Sequence, residues 1–313
     1  MLGCSVDERP RMRHHHRVPI CVIFNPAARG QKAQKLKALI QRFAQNSHFI
    51  PTTRAGEARS LATAAVHEGF DTIVAAGGDG TLNEVLNGIG DHPNGFAQAR
   101  LGVLPMGTIN VFARELRIPL ALDPAWQIIL RGKETNLDLP QVEFVRTGQT
   151  TRRYFAQLAG AGLDSRAVEM VDWELKKKIG PLAYVVAGMK ALRSRQSRIT
   201  VICAAGETAG ELVLIGNGRF YGGSFVLFPK ADPRDGKLDI CIFPKVTWPI
   251  IGRAGIGLLT GTVHRLCGAH EMRAETVTLT ADQKTFLQLD GENVGALPAQ
   301  FSVRPGLLRV IVP

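Results

Sequence analysis

The chain has 313 residues, 45% of them hydrophobic, enough for two domains with full cores at roughly 100–200 residues each. Its formal charge of +11, from 38 Lys and Arg against 27 Asp and Glu, gives a surface that attracts nucleic acid, anionic lipid headgroups or phosphorylated small molecules without choosing among them. Cys4, Cys21, Cys203, Cys241 and Cys267 are scattered, with no CxxC or paired His spacing, which argues against a disulfide framework or structural zinc and fits a reducing cytoplasm.

Residues 1–17 read as a disordered, basic tail carrying His14, His15 and His16, without the apolar stretch of roughly 7–15 residues that a signal peptide needs. From Val18 to about Leu139 short apolar runs alternate with helical patterns, the mark of βαβ units on a parallel sheet. Strands are expected at Pro19–Phe24, Phe49–Thr53, Thr72–Ala76 and Leu101–Pro105, and helices at Gln31–Gln45, Glu57–Glu68 and Thr81–Ile89. Residues 140–313 turn to short β-rich runs bounded by Gly, Pro or Asp: Tyr154–Leu158, Ile199–Ala204, Glu211–Gly216, Ser224–Phe228, Leu238–Phe243, Thr276–Thr280 and Leu307–Val312. That pattern predicts an antiparallel sandwich, interrupted by helices near Val168–Arg193 and Pro249–Leu266, whose last strand packs back near the first domain. No uncharged apolar run reaches the ~18 residues of a membrane span; Trp248–Val263 comes nearest and is interrupted by Arg253.

The most informative stretch is Thr72-Ile-Val-Ala-Ala-Gly-Gly-Asp-Gly-Thr-Leu-Asn-Glu84, an apolar strand running through a glycine turn straight into a helix. Glycines let backbone approach a ligand closely, and the free N–H groups that open a helix favour an anion, so a phosphate belongs there. Asp79 would repel a bare phosphate and reads as facing a magnesium ion or a transferring hydroxyl; the bland alternative is an ordinary β–α turn with an Asp cap. The string is neither a Walker loop nor the GxGxxG fingerprint. Two more strand ends, Asn25-Pro26-Ala27-Ala28-Arg29-Gly30 and Pro105-Met106-Gly107-Thr108-Ile109-Asn110, point to the same sheet edge. Asp290-Gly291-Glu292 follows an apolar strand at Thr285–Leu289, and Asp232–Asp239 holds an Asp-Gly turn; each is by itself equally a plain hairpin. A basic run around Trp173–Tyr184, continued by Lys190, Arg193, Arg195 and Arg198, suits either an anionic lipid surface or a solvated helix face. His48, His67, His92, His264 and His270 build no triad.

These segments, with Ile215–Ser224 and Pro229–Asp239, resemble the diacylglycerol kinase catalytic family, which includes sphingosine, ceramide and bacterial lipid kinases, over roughly Val18 to Pro313. The resemblance implies an α/β fold: a Rossmann-like parallel-sheet domain of the NAD kinase/diacylglycerol kinase type, then a C-terminal antiparallel β-sandwich that receives the lipid. It implies ATP contacts at Asn25, Pro26, Thr52, Gly78, Asp79, Gly80, Thr81, Leu82, Asn83, Glu84 and Thr108, a magnesium site at Asp232, Asp235 and Lys237, Glu292 as proton acceptor beside a catalytic Asp79, and Asp138 near the acceptor hydroxyl. Where many bacterial members read GTxND, this chain has Val111 in place of the Asp, and Arg29 stands where a small residue is usual.

The expected activity is therefore an ATP- and Mg2+-dependent lipid kinase, cytoplasmic and peripherally associated with an anionic membrane, with no nucleic acid partner and an oligomeric state that admits a homodimer. Leu158–Leu163 and Phe220–Phe228 are candidate apolar lining for the lipid. Two other readings remain open. One is a kinase of a soluble metabolite, told apart by a polar acceptor pocket; the other is a non-enzymatic basic lipid- or nucleic-acid-binding protein, told apart by salt-sensitive nucleic-acid affinity.

Overall fold

Strand β1 (Ile20–Phe24) owes its central place to three fully buried residues, Cys21, Val22 and Ile23, which leave it no solvent-facing side. The computed structural model describes residues 20–26, 38, 42, 47–131, 133–163, 165, 166, 170, 191, 192 and 196–313. The expected helices at Gln31–Gln45 and Val168–Arg193, the turn at Arg29 and the basic run at Trp173–Tyr184 lie outside those residues, apart from Ala38, Arg42, Met170, Ala191 and Leu192.

β1 pairs in parallel with β2 (Ser47–Pro51), which is followed by helix α1 (Glu57–His67), and with β3 (Thr72–Gly77). Gly78 is extended, so the chain bends there and α2 (Asp79–Asp91) starts two residues before the predicted Thr81. A single turn, α3 (Gly95–Gln98), leads to β4 (Arg100–Pro105), parallel to β3 with Ala75 opposite Val103. Two helices the periodicity did not announce follow, α4 (Val111–Glu115) and α5 (Leu122–Arg131); α5 buries Trp126 against Phe49 at 6.0 Å between ring centroids.

The chain then enters β5 (Glu134–Arg146), β6 (Gln149–Tyr154), β7 (Leu158–Gly162), β8 (Ile199–Cys203), β9 (Gly206–Gly210), β10 (Leu212–Gly216), and the two-residue β11 (Phe220–Tyr221) and β12 (Phe225–Val226). β13 (Leu238–Phe243), helices α6 (Trp248–Thr260) and α7 (Val263–Cys267), β14 (His270–Ala274), β15 (Thr276–Ala281), β16 (Phe286–Leu289), β17 (Glu292–Ala296) and β18 (Ala299–Ile311) complete it. The strand predicted at Tyr154–Leu158 is broken in the middle, between β6 and β7, because the N–H groups of Ala156, Gln157 and Leu158 turn to a carboxylate instead of a ladder. The helix predicted at Pro249–Leu266 is two helices, parted at Gly261, whose φ of +68° ends α6.

One sheet runs β2-β1-β3-β4-β18-β15-β8-β9, with β5 on β18 and β6 on β5. Its β18 is parallel to β4 at Val310–Leu101 and antiparallel to β5 and β15, so the chain end joins both halves. A second sheet, β14-β13-β10-β7-β16-β17, is antiparallel and lies across the first. Along β10 and β13 alternate residues face opposite ways: Val213, Ile215, Ile240 and Ile242 fill the core between the sheets, while Leu214, Cys241 and Phe243 face α6 and α7. Burial pushes the Cys241 thiol up to about 12, which leaves it an inert core group. Among the described residues no helix is long and apolar enough to cross a membrane.

Phe301 is fully buried between the sheets, edge-on to Phe155 with centroids 6.2 Å apart. Phe301→Ala is expected to lower unfolding free energy by about 3–5 kcal/mol, read by urea denaturation.

Candidate active site

Four strand ends converge at the carboxyl edge of the parallel sheet, the usual ligand position in open α/β folds. Backbone bonds tie them together: Thr52 N–H donates to Phe24 O at 2.9 Å, Asn25 N–H to Ala76 O at 3.3 Å, and Met106 N–H to Gly77 O at 2.8 Å. Asn25, Pro26 and Thr108 are exposed there, while Thr52 is buried. The glycines are demanded by contact. A Cβ on Gly107 would lie 2.5 Å from Gly78 Cα, and one on Gly77 would meet the Thr81 side chain.

The loop after β4 is closed by Asn110, whose Oδ1 accepts Gly107 N–H at 3.0 Å and whose Nδ2 donates to Gly107 O at 2.8 Å. Asn110 does this from the left-handed region, at φ 53°. Asp79 reaches across to the same loop, accepting the N–H of Phe112 at 3.4 Å and bonding the backbone of Val111. Asp79 therefore anchors the start of α4, and Val111 serves it through the main chain. Burial raises the Asp79 carboxyl, with the nearby Asp290 charge adding to the rise against these backbone bonds.

The second half delivers its acids to this edge. Asp290 and Gly291 both have positive φ, 46° and 89°, forming a tight turn that projects Glu292 at the start of β17. A Cβ on Gly80 would stand 2.8 Å from Glu292 Oε1, so the LDGE segment and the GGDGT turn are in contact. Asp290 makes the contact rigid. Its oxygens accept Asn83 Nδ2 and Ala156 N–H at 2.8 Å each, and Gln157 and Leu158 N–H at 3.0 Å each. Burial pushes its carboxyl up, opposed by those donors.

Several residues assigned to ligand contacts are spent on the fold. Leu82 is core, Asn83 is 2% exposed and committed to Asp290 and to Tyr154 O at 3.2 Å, and Glu84 accepts Gly56 and Ala58 N–H at 2.9 and 3.0 Å, capping α1. Helical geometry turns these successive residues to different sides of α2, so only the first turn faces the edge. Asp138, expected near the acceptor hydroxyl, is 3% exposed and accepts Gly236 N–H at 2.6 Å and Gly306 N–H at 2.8 Å; it staples a turn to β18.

The expected magnesium turn is also organised from within. Asp232 Oδ1 accepts Arg234 N–H at 3.1 Å, Asp235 Oδ1 accepts Lys237 N–H at 3.0 Å, and Asp235 is paired with Arg273. Lys237 could offer a cation only its carbonyl, since an ammonium has no lone pair. Arg273 also binds Asp239 at 3.0 Å, and burial pushes the Asp239 carboxyl up to about 6. Among the described residues no three acidic, His or Cys side chains gather as a metal cluster. A cation at this turn would share Asp235 with a guanidinium that already neutralises it. Magnesium in phosphoryl-transfer sites takes one or two carboxylates plus phosphate oxygens and water.

Sequence reasoning missed the groups that hold the halves together. Asn87 pairs with Tyr154 as a strand would, its Oδ1 accepting Tyr154 N–H and its Nδ2 donating to Tyr154 O, both at 2.9 Å. Glu115, buried on α4, accepts Arg219 N–H at 2.8 Å and Gln157 Nε2 at 3.1 Å and binds Arg219 Nε at 2.9 Å. Arg153 donates to Asn83 Oδ1 at 3.4 Å and lies close enough to Glu292 to feel its charge. The available signal was two asparagines four residues apart on the buried face of an otherwise apolar helix.

Comparison with known proteins adds three findings. The model of the "Diacylglycerol kinase catalytic domain" matches residues 19–142, and that of the "YegS C-terminal NAD kinase beta sandwich-like domain" matches residues 157–312. Diacylglycerol kinases of Staphylococcus aureus strains JH9 and Newman are 31% identical over 287 residues, covering 90% of this chain and 88% of theirs. A crystal structure of a diacylglycerol kinase from Bacillus anthracis str. Sterne superposes with a TM-score of 0.75 at 23% identity, covering 95% of this chain and 97% of that one, a likeness of fold.

Asp138→Ala strands two half-buried N–H groups and is expected to cost about 1–3 kcal/mol in urea unfolding, with the KM for the acceptor unchanged in the folded protein. Asp239 titrates at about 6 when folded against 3.8 when unfolded, so the folded state holds the extra proton and this group's contribution falls as pH rises through that window. The Tm difference, wild type minus Asp239→Asn, is accordingly expected to fall between about pH 4 and pH 6.

Proposed function

The chain belongs to the diacylglycerol kinase catalytic-domain family, and on that premise we propose that it is a lipid kinase, moving the γ-phosphate of ATP onto the hydroxyl of a membrane lipid such as diacylglycerol or a sphingoid base. The observation that carries this reading is the contact between Glu292, an acid supplied by the β-rich half, and Gly80 in the glycine turn of the parallel sheet. Two substrates held on different halves would meet at that point.

On this reading the triphosphate lies along the strand ends at Asn25, Pro26, Thr52, Gly78 and Thr108, with its charge toward the opening turn of α2 at Gly80 and Thr81. The first four N–H groups of a helix lack intrahelical partners and carry the positive end of its dipole, which suits phosphate oxygens. Glu292 accepts the proton of the lipid hydroxyl as that oxygen attacks phosphorus. Mg2+ would neutralise the oxygens of the transferring phosphate, and Asp79, which also bonds the backbone at the start of α4, is the acid of the turn we would assign to it. The buried pin at Asp290 excludes water behind the acids and fixes their approach.

In keeping with a lipid acceptor, a small hollow of about 110 Å³ beneath α6 is lined by Leu163, Leu214, Tyr221, Leu227, Phe243 and Ile250 among other apolar residues, room for part of one acyl chain. A soluble metabolite would need several polar partners that this lining lacks. A larger hollow of about 620 Å³ on α1, bordered by Arg59 and Asp91, contains none of the residues that meet at the crevice. The protein is read as acting from the cytoplasmic side, peripherally.

The test is incubation with labelled ATP, Mg2+ and a panel of lipid and soluble alcohols, the lipids in mixed micelles. Label is expected in the lipid phase, and Glu292→Gln is expected to lower kcat by roughly 10²–10⁴-fold with nucleotide affinity unchanged. Label appearing only in a soluble alcohol would overturn the lipid assignment, and wild-type turnover by Glu292→Gln would remove its role as base.

A further inference from the structure

Helix α6 is apolar on both sides. Its inner stripe, Ile250, Ile251, Ala254 and Leu258, lines the hollow below it. Its outer stripe carries Trp248, Ile256 and Leu259 at 50%, 59% and 75% exposure, and a Cβ added at Gly252 or Gly255 would meet nothing within 4 Å. Leu266 on α7 and Phe225 on β12 extend the exposed apolar surface. A helix with apolar residues on both sides is normally buried on both, and among the described residues nothing covers the outer stripe, which therefore calls for an occupant.

Charge selects the occupant. From Lys245 to His270 the chain contains no carboxylate, while Lys245, Arg253 and Arg265 are exposed, and Lys230 stands exposed beside the Pro229 that packs near Gly261. An apolar stripe led by Trp and rimmed by cations, with the nearby acid Glu271 paired to His264 of α7 at 3.3 Å, is the composition of a helix that lies in an anionic bilayer interface. Only the helix separates this surface from the hollow.

We propose that the outer face of α6, with α7 and the β11–β12 hairpin, docks on an anionic bilayer, so that α6 forms the roof between the membrane and the apolar hollow. This rests on the lipid-kinase reading only for its purpose; the docking itself stands on the surface.

The probe is co-sedimentation of the full chain with phosphatidylglycerol/phosphatidylcholine vesicles and with phosphatidylcholine vesicles alone, alongside gel filtration. Wild type is expected to bind the anionic vesicles, and the double variant Ile256→Asp, Leu259→Asp to bind them at least about 10-fold more weakly, with Arg253→Glu intermediate. Both apolar positions are exposed, and circular dichroism checks that the variant folds; Leu259→Gln serves as the milder change. Phosphorylation of a short-chain diacylglycerol dissolved as monomer is expected to survive in the double variant, while phosphorylation of long-chain diacylglycerol in vesicles falls. Unchanged sedimentation of the double variant overturns the proposal, as does a dimer-to-monomer shift on gel filtration, which would give the face to a second copy. Wild-type inactivity on every lipid would instead defeat the lipid-kinase reading and leave the sedimentation result standing.

Discussion

Asp290 sits where the two halves of the chain press together, and its carboxylate is shared among α2, through Asn83, and the three successive N–H groups of Ala156, Gln157 and Leu158. Removing a buried acceptor that serves four donors leaves all of them unsatisfied, so the arrangement tolerates little displacement. Glu292 is two residues further on, across a turn fixed by two positive φ angles, and inherits its position from this anchor. The approach of an acid from one half to the glycine turn of the other is thus set by a buried polar bond rather than by the flexibility of either surface.

The string Gly78-Asp79-Gly80-Thr81-Leu82-Asn83-Glu84 distributes its residues over several tasks. Gly78 permits contact with Gly107, Gly80 makes room for Glu292, Asp79 holds the start of α4, Leu82 enters the core, Asn83 binds Asp290, and Glu84 caps α1. One helix therefore sets its N-terminus at the sheet edge and, a turn later, its side against the second half. An uninterrupted motif can arise because each position answers to a different neighbour, even though only the opening turn lies at the sheet edge.

The acceptor side shows a comparable layering. Period-two alternation along β10 and β13 gives the second sheet two apolar faces, one closed by the first sheet and the other by α6 and α7. Tyr221 lines the hollow under α6, its neighbour Phe220 accepts Gln157 Nε2 at 3.3 Å, and Gln157 N–H donates to Asp290. A packed path thus joins the hollow under α6 to the crevice at the sheet edge, with Glu115 and Arg219 bracing it from α4.

Much was legible in local pattern. Continuous apolar runs marked β1, β3 and β4, a short β-rich run marked β13, and the glycine turns marked the sheet edge, because backbone geometry and burial impose those patterns on the residues themselves. β5 escaped notice because its first residues, Glu134 to Asn136, are polar and Pro140 interrupts it; its pairing along β18 comes from residues more than 150 positions away. For the same reason the acids could be found but not assigned. Asp138 on β5, Glu84 on α2 and Asp235 and Asp290 in turns are chemically alike as carboxylates, and what each does depends on which N–H or guanidinium the fold brings to it. The sequence by itself determined the two-part architecture, the glycine turn at the sheet edge and the LDGE segment, since these are written in neighbouring residues. Only the tertiary structure decided that Glu292 meets Gly80 while Asp138 and Asn83 are sealed in the interior, because a carboxylate or amide is committed by its partners in space, and those partners lie tens to hundreds of residues away along the chain.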